Sequence, residues 1–307
     1  MKKTFYSNGK LLITGEYLVL DGATALALPT KFGQNLNIEE GSDEKIHWKS
    51  YDADGTVWFE EVILFSEITT TESPETATVK NTLIKILHEA FIMNADFITK
   101  GKGYSISTQL SFPRKWGLGT SSTLINNIAQ WLQIDAFELL NNSFGGSGYD
   151  IACAQNNTPI LYHLENEKPI VEQIAFNPDF KQHLYFVYLN QKQSSKTAIA
   201  NYRKNNTAHL DKNIVKINAL TAEILKAKTL PEFEHAITKH ETAMSHILEV
   251  STVKEALFPD FKGEIKSLGA WGGDFILTIS TENPTPYFNN KGYAIVLPYA
   301  EMILNIS

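Results

Sequence analysis

The sequence predicts an α+β fold, and three observations carry that prediction. Strand-like runs crowd the first sixty residues, amphipathic helix fills much of 197–250, and strong strands return before the C-terminus. The 307 residues suit one large domain or two ordinary ones.

The elements follow in order. Leu11-Leu12-Ile13, Tyr17-Leu18-Val19-Leu20 and Ala25-Leu26-Ala27-Leu28 read as short strands, punctuated by Asn8-Gly9, Asp21-Gly22 and Pro29. Leu36, Ile38, Ile46 and Trp48, then Val57 and Phe59 after Asp54-Gly55, alternate with polar neighbours, as a hairpin with one wet face does. Val79, Leu83, Ile86, Leu87 and Ala90 recur at helical spacing. A strand is expected at Tyr104–Ser107, then a glycine-bearing loop and a helix along Leu124, Ile125, Ile128, Trp131 and Leu132. Ile160–Tyr162 and Leu184–Tyr188 read as strands, the helical stretch breaks near Thr207 and at Leu230-Pro231, and Phe275–Ile279 and Tyr293–Val296 close the pattern as strands. Pro169 and Pro178 place the best boundary in 165–178, giving two intimately packed halves, 1–168 and 169–307.

Composition narrows the function classes. The net charge is −7, and Arg114 and Arg203 are the only arginines, which argues against a polyanion-binding role. The single Cys153 excludes an intrachain disulfide and any cysteine-rich metal site. Met1-Lys2-Lys3 is followed by no apolar signal core, and no run nears the roughly 18 apolar residues of a membrane span. The expectation is a cytoplasmic protein, monomeric or homodimeric, that binds neither nucleic acid nor membrane.

Four segments can carry chemistry. Phe112–Ser122 places Gly117 and Gly119, then Thr120, Ser121 and Ser122, ahead of an apolar-periodic helix. Glycines that let the backbone approach a ligand, followed by free N–H groups at a helix start, suit a phosphate chain; a plain capped turn is the alternative. The Gly-Lys-Ser/Thr ending of a Walker loop is missing. In Phe144–Ala152, Asp150 follows a glycine-rich turn and suits a base toward a substrate hydroxyl, or else a helix cap. Ser267–Asp274 sets three glycines before a strand, for close backbone approach or a bulge. Gly9–Tyr17 places Lys10 and Glu16 on either side of an apolar strand, or merely as two exposed edge charges.

Taken in order, Gly-Lys-Leu-Leu-Ile-Thr-Gly-Glu-Tyr, Gly-Leu-Gly-Thr-Ser-Ser and Gly-Ala-Trp-Gly-Gly-Asp resemble the three motifs of the GHMP kinases, from residue 8 to about 280. The resemblance implies an N-terminal half like the second domain of ribosomal protein S5 and a ferredoxin-like C-terminal half, with the active site between them. It implies ATP and Mg2+ as cofactors. Gly117, Leu118, Gly119, Thr120, Ser121 and Ser122 would wrap the ATP phosphates, with Ser121 also toward magnesium. Asp150 would be the base and Lys10 the lysine beside it. Glu16, Ser147, Gly148, Gly269, Ala270, Gly272 and Gly273 would approach the acceptor, as would Ser195 and Lys196 in a small-polar stretch like that of mevalonate kinases. Glu138 is the nearest candidate for a magnesium carboxylate, though an ordinary solvated glutamate fits as well.

Gly-Glu-Tyr and Gly-Ser-Gly-Tyr-Asp-Ile-Ala lean toward the mevalonate and phosphomevalonate kinase branch. Trp271 stands where that family usually has glycine, Thr120 replaces a common serine, and Trp116 adjoins the phosphate loop. Arg114, Lys115, Lys192, Lys196 and Arg203 are candidate cations for an acidic acceptor. His240 and His246 stand six apart, so they do not share a helix face as a zinc pair does, and Cys153 reads as packing. The expected activity is ATP-dependent phosphorylation of mevalonate or phosphomevalonate. A sugar or homoserine kinase, a decarboxylase of the same fold and a silent nucleotide-binding regulator are the alternatives.

Overall fold

β1 (Lys3–Leu12) runs as one ten-residue strand, with Asn8 and Gly9 inside it rather than in a turn. Pairing with β2 (Ala25–Glu40) keeps that stretch extended. The expected strand at Tyr17–Leu20 is absent. Leu18–Asp21 forms a 3-10 turn closed by Gly22 at φ 93, whose N–H reaches back to Leu18 and Val19. This computed structural model describes residues 2–70, 78–191, 199–200, 202–203, 209–271 and 273–304. They fall into two compact units that interleave in sequence. The first holds the residues up to Gly9, Phe32–Arg114 and Leu118–Gln155; the second holds Lys10–Lys31, Lys115–Gly117 and the chain from Asn156 on.

In the first unit the strand order is β4 (Val57–Leu64), β3 (Lys45–Tyr51), β5 (Tyr104–Leu110), then the C-terminal part of β2. β3 runs antiparallel to β4 and parallel to β5, and Gln34–Glu40 of β2 lie antiparallel to Leu110–Tyr104. The helices are α1 (Phe65–Thr69), α2 (Val79–Met93), α3 (Asp96–Thr99), α4 (Thr120–Leu132), α5 (Ala136–Ser143) and α6 (Tyr149–Gln155). Leu83, Ile86, Leu87 and Ala90 of α2 and Ile125, Ile128, Ala129 and Leu132 of α4 join Leu36, Ile38, Trp48 and Ile106 in one core. Their spacing of three and four is what a single helix face buries.

The second unit contains two sheets. Ala25–Ala27 of β2 pair with β6 (Ile160–Glu165), which pairs with β7 (Lys168–Gln173). Asn166 and Glu167, at φ 49 and 62, supply a two-residue hairpin turn where the sequence suggests a break. Pro169 sits on the edge strand, where a missing N–H costs little.

The other sheet has the order β11 (Val296–Pro298), β8 (Leu184–Tyr188), β10 (Phe275–Ile279), β9 (Glu264–Ser267), every pair antiparallel. α7 (Leu210–Lys226), α8 (Leu230–Leu248) and α9 (Val253–Leu257) link β8 to β9; α10 (Thr285–Asn290) links β10 to β11, and α11 (Tyr299–Met302) follows. This is the order of a split β-α-β repeat. The Leu230-Pro231 break is the start of α8, where Thr229 and Glu232 form a capping box. The expected strand at Tyr293–Val296 shrinks to Val296–Pro298, Tyr293 instead laying its ring against Phe258.

Candidate active site

In the first unit the glycine-bearing loop leads into α4 through Gly119, the N-cap, at φ 96 and ψ 40. A side chain is disfavoured at that φ, and no side chain caps the helix. Ser122 and Thr123 turn their hydroxyls back onto the Gly119 carbonyl at 2.9 and 3.1 Å. Ser121 is exposed on the first turn, Thr120 is half-buried and Leu118 is fully buried beneath the loop. The result is a helix N-terminus whose positive dipole end and first amides are not covered by a capping side chain, as an anion site requires.

A buried polar stripe sets the rotation of that helix. Ser122, Thr123, Asn126 and Asn127 lie on its buried side. Thr123 donates to Gln34 Oε1 at 2.8 Å, Asn127 donates to the Gln34 carbonyl at 2.9 Å, and Ser7 bridges Asn127 and Asn126, each at 2.8 Å. These neutral bonds anchor α4 to β1 and β2, so the loop before it has a defined register. Gln155 of α6 donates to Asn126 at 3.1 Å and ties in the helix that carries Asp150. Asp150 is the second residue of α6, half-buried, behind half-buried Ser147 and buried Gly148. The unit thus gathers the α4 motif and the Asp150 motif on helices that pack together. Glu138 lies exposed on α5. Cys153 is buried among Ala152 and Ala154, as packing predicts.

Arg114, a candidate cation, stacks its guanidinium 4.6 Å from the Trp58 ring centre while its amide donates to Asp52. Lys192, Ser195, Lys196 and Gly272 lie outside the described residues.

In the second unit Lys10 is half-buried in β1. A Cβ on Gly117 (φ 69) would stand 2.3 Å from the Asp274 carboxylate, so position 117 and the end of the Ser267–Asp274 segment touch only because residue 117 is glycine. Trp116 packs edge-on to Phe275 and beside Tyr188. Gly269 stands at φ 56 and Trp271 at φ 41, a left-handed backbone that is costly for a bulky residue.

Glu16 is not an exposed edge charge. It is 1% exposed and ion-paired with Lys266, which is 0% exposed. Lys266 also meets Glu241 at 3.3 Å, and Glu241 accepts the Ser267 amide at 3.1 Å. His240 Nε2 lies 3.8 Å from Glu16. Burial pushes the Glu16 carboxyl above the usual range against the pull of Lys266. Burial alone would lower Lys266, but the attraction of Glu16 and Glu241 outweighs it and raises the ammonium. Burial, helped by Lys266, holds His240 neutral well below the ordinary histidine value. Sequence reasoning missed Lys266, Glu241 and His240, because a charged residue is ordinarily solvated and nothing local marks these three as buried.

Solved structures share this fold. A mevalonate kinase from Methanococcus jannaschii matches at TM-score 0.71 and 14% identity, over 100% of this chain and 99% of its own. A Streptococcus pneumoniae phosphomevalonate kinase, in complex with phosphomevalonate and AMPPNP, matches at 0.68 and 16%, covering 99% and 98%. A Lactococcus lactis galactokinase complexed with galactose matches at 0.68 and 13%, covering 94% and 88%. No family model and no curated protein matches the sequence. The chain therefore has the GHMP kinase fold, shared along nearly its whole length with mevalonate, phosphomevalonate and sugar kinases. No helix among the described residues is long and apolar enough to cross a membrane.

Proposed function

We propose that the protein is an ATP-dependent small-molecule kinase of the GHMP kind, with mevalonate or phosphomevalonate as acceptor. The carrying observation is the start of α4, where a left-handed glycine replaces a capping side chain. Its first amides and dipole would hold the nucleotide phosphates and stabilise charge on the transferring phosphoryl group. Asp150 would accept the proton of the acceptor hydroxyl as that oxygen bonds to the γ-phosphorus and the bond to ADP breaks. Lys10 would hold the attacking oxygen. The Gly-Glu-Tyr and Gly-Ser-Gly-Tyr-Asp motifs favour the mevalonate branch, with the phosphorylated acid slightly preferred.

Among the described residues no three histidine, cysteine or carboxylate side chains form a metal cage. Ser121 and Glu138, both exposed, would be the hydroxyl and the carboxylate offered to a magnesium ion brought in by the nucleotide phosphates. When bound, that ion would neutralise phosphate charge.

The test is ADP release with magnesium-ATP against mevalonate, phosphomevalonate, diphosphomevalonate, galactose and homoserine. Turnover with one acceptor, cut about a hundredfold or more in Asp150→Asn with ATP affinity kept, supports the reading. Nucleotide binding without turnover on any of them favours the silent regulator, which Trp271 in the third motif motivates.

A further inference from the structure

Two bulky residues in the second unit hold backbone conformations that side chains normally avoid. Tyr17, at φ 60 and ψ −49, is the centre of a γ-turn of the rare strained form, with the Leu18 amide donating to the Glu16 carbonyl at 2.6 Å. Trp271, at φ 41, lies in the glycine-rich turn of the third motif. Strain of this kind persists only where surrounding structure over-determines it.

One side chain reaches both turns. Lys266 pairs with the carboxylate of Glu16, the residue before Tyr17, and its Nζ lies 5.5 Å from the centre of the Trp271 ring. Tyr17 and Trp271 pack on the same apolar cluster, and Tyr17 also stacks on Tyr202 at 5.5 Å. Removing a fully buried ammonium from between two carboxylates would strand charge in the interior, so the arrangement has little freedom to slide.

We infer that Lys266 is a positioning residue: through Glu16 and the Trp271 ring it locks the first and third motifs in the strained conformations that present their backbones to the acceptor. The acceptor part of this inference rests on the proposed kinase activity. The clamp itself does not.

The experiment compares the wild-type protein with Lys266→Met and with the double variant Lys266→Met/Glu16→Gln. The double variant strands no charge on Glu16, and Glu241 keeps its Ser267 partners, so it loses less stability than the single variant and is the form to use if the single variant does not fold. The first readout is the indole N–H resonance of Trp271, assigned with Trp271→Phe. It should be dispersed and slow to exchange in the wild type and move toward the free-indole position in the double variant. An unmoved resonance overturns the inference, whether or not the protein is a kinase.

The second readout is kinetic, with the acceptor found in the ADP-release panel. The double variant should show the acceptor KM raised about tenfold to a hundredfold, with the ATP KM nearly unchanged. Full activity in a folded double variant would reduce Lys266 to a stabilising ion pair and overturn the inference. If the wild type turns over no acceptor, the proposed function fails while the resonance still decides the clamp.

Discussion

The two units fix their candidate motifs by opposite means. In the first, α4 is held by uncharged partners: Ser7, Gln34, Thr123, Asn126 and Asn127 satisfy one another with no ionised group among them. In the second, Glu16, Glu241 and Lys266 form a buried ionic cluster beside a neutral histidine. A neutral network gives register at modest cost and does not titrate. A buried ionic cluster is expensive to desolvate and catastrophic to unbalance, but it resists intermediate geometries. The difference teaches that α4 needs only an orientation, while strained turns need a clamp.

That comparison can be broken by substitution. Lys266→Met should be the costliest single change, about 3–5 kcal/mol in urea unfolding, because two buried carboxylates lose their cation. A loss under about 1 kcal/mol would mean that the cluster is not desolvated in solution. Asn127→Ala should cost about 1–3 kcal/mol, through unsatisfied groups on Ser7 and Gln34, and the loss should be the same at pH 5 and pH 8.

The third test sharpens the contrast through pH. His240 is buried and neutral when folded but takes up a proton near pH 6.5 when unfolded. Its contribution to stability is therefore fully present above that value and is lost as pH falls below it, by up to about 1.4 kcal/mol per pH unit. Unfolding of His240→Leu between pH 7 and 5 should show a shallower slope than wild type; equal slopes would mean that His240 titrates alike in both states. The smallest expected effect is Thr229→Ala, about 1 kcal/mol from the α8 capping box. It lies in neither network and serves as the reference for an ordinary local loss.

What the sequence shows and hides follows the same division. α2, α4 and β10 were legible because apolar periodicity is local, and the Leu230-Pro231 break was legible as the start of α8. Tyr17–Leu20 looked like a strand because its residues are apolar, yet a γ-turn and Gly22 curl it into a 3-10 turn. β7 was missed because prolines looked like a boundary, although one of them is tolerated on an edge strand. The stripe Ser122, Thr123, Asn126, Asn127 was readable in principle, since two pairs four apart share a helix face. The Glu16–Lys266 pair was not, because its partners lie 250 positions apart and each looks alone like a solvated charge.

That separation also sets a timetable for synthesis. β2 and Glu16 leave the ribosome well before Lys266, and the first unit can begin to collapse once Gln155 has emerged. Glu16 must wait, an unpaired carboxylate beside an apolar segment, until Lys266 follows 250 residues later. The clamp is therefore a late stitch of biogenesis: nascent chains stopped before residue 266 hold the whole glycine-bearing segment before α4 and none of the lysine that pairs with Glu16.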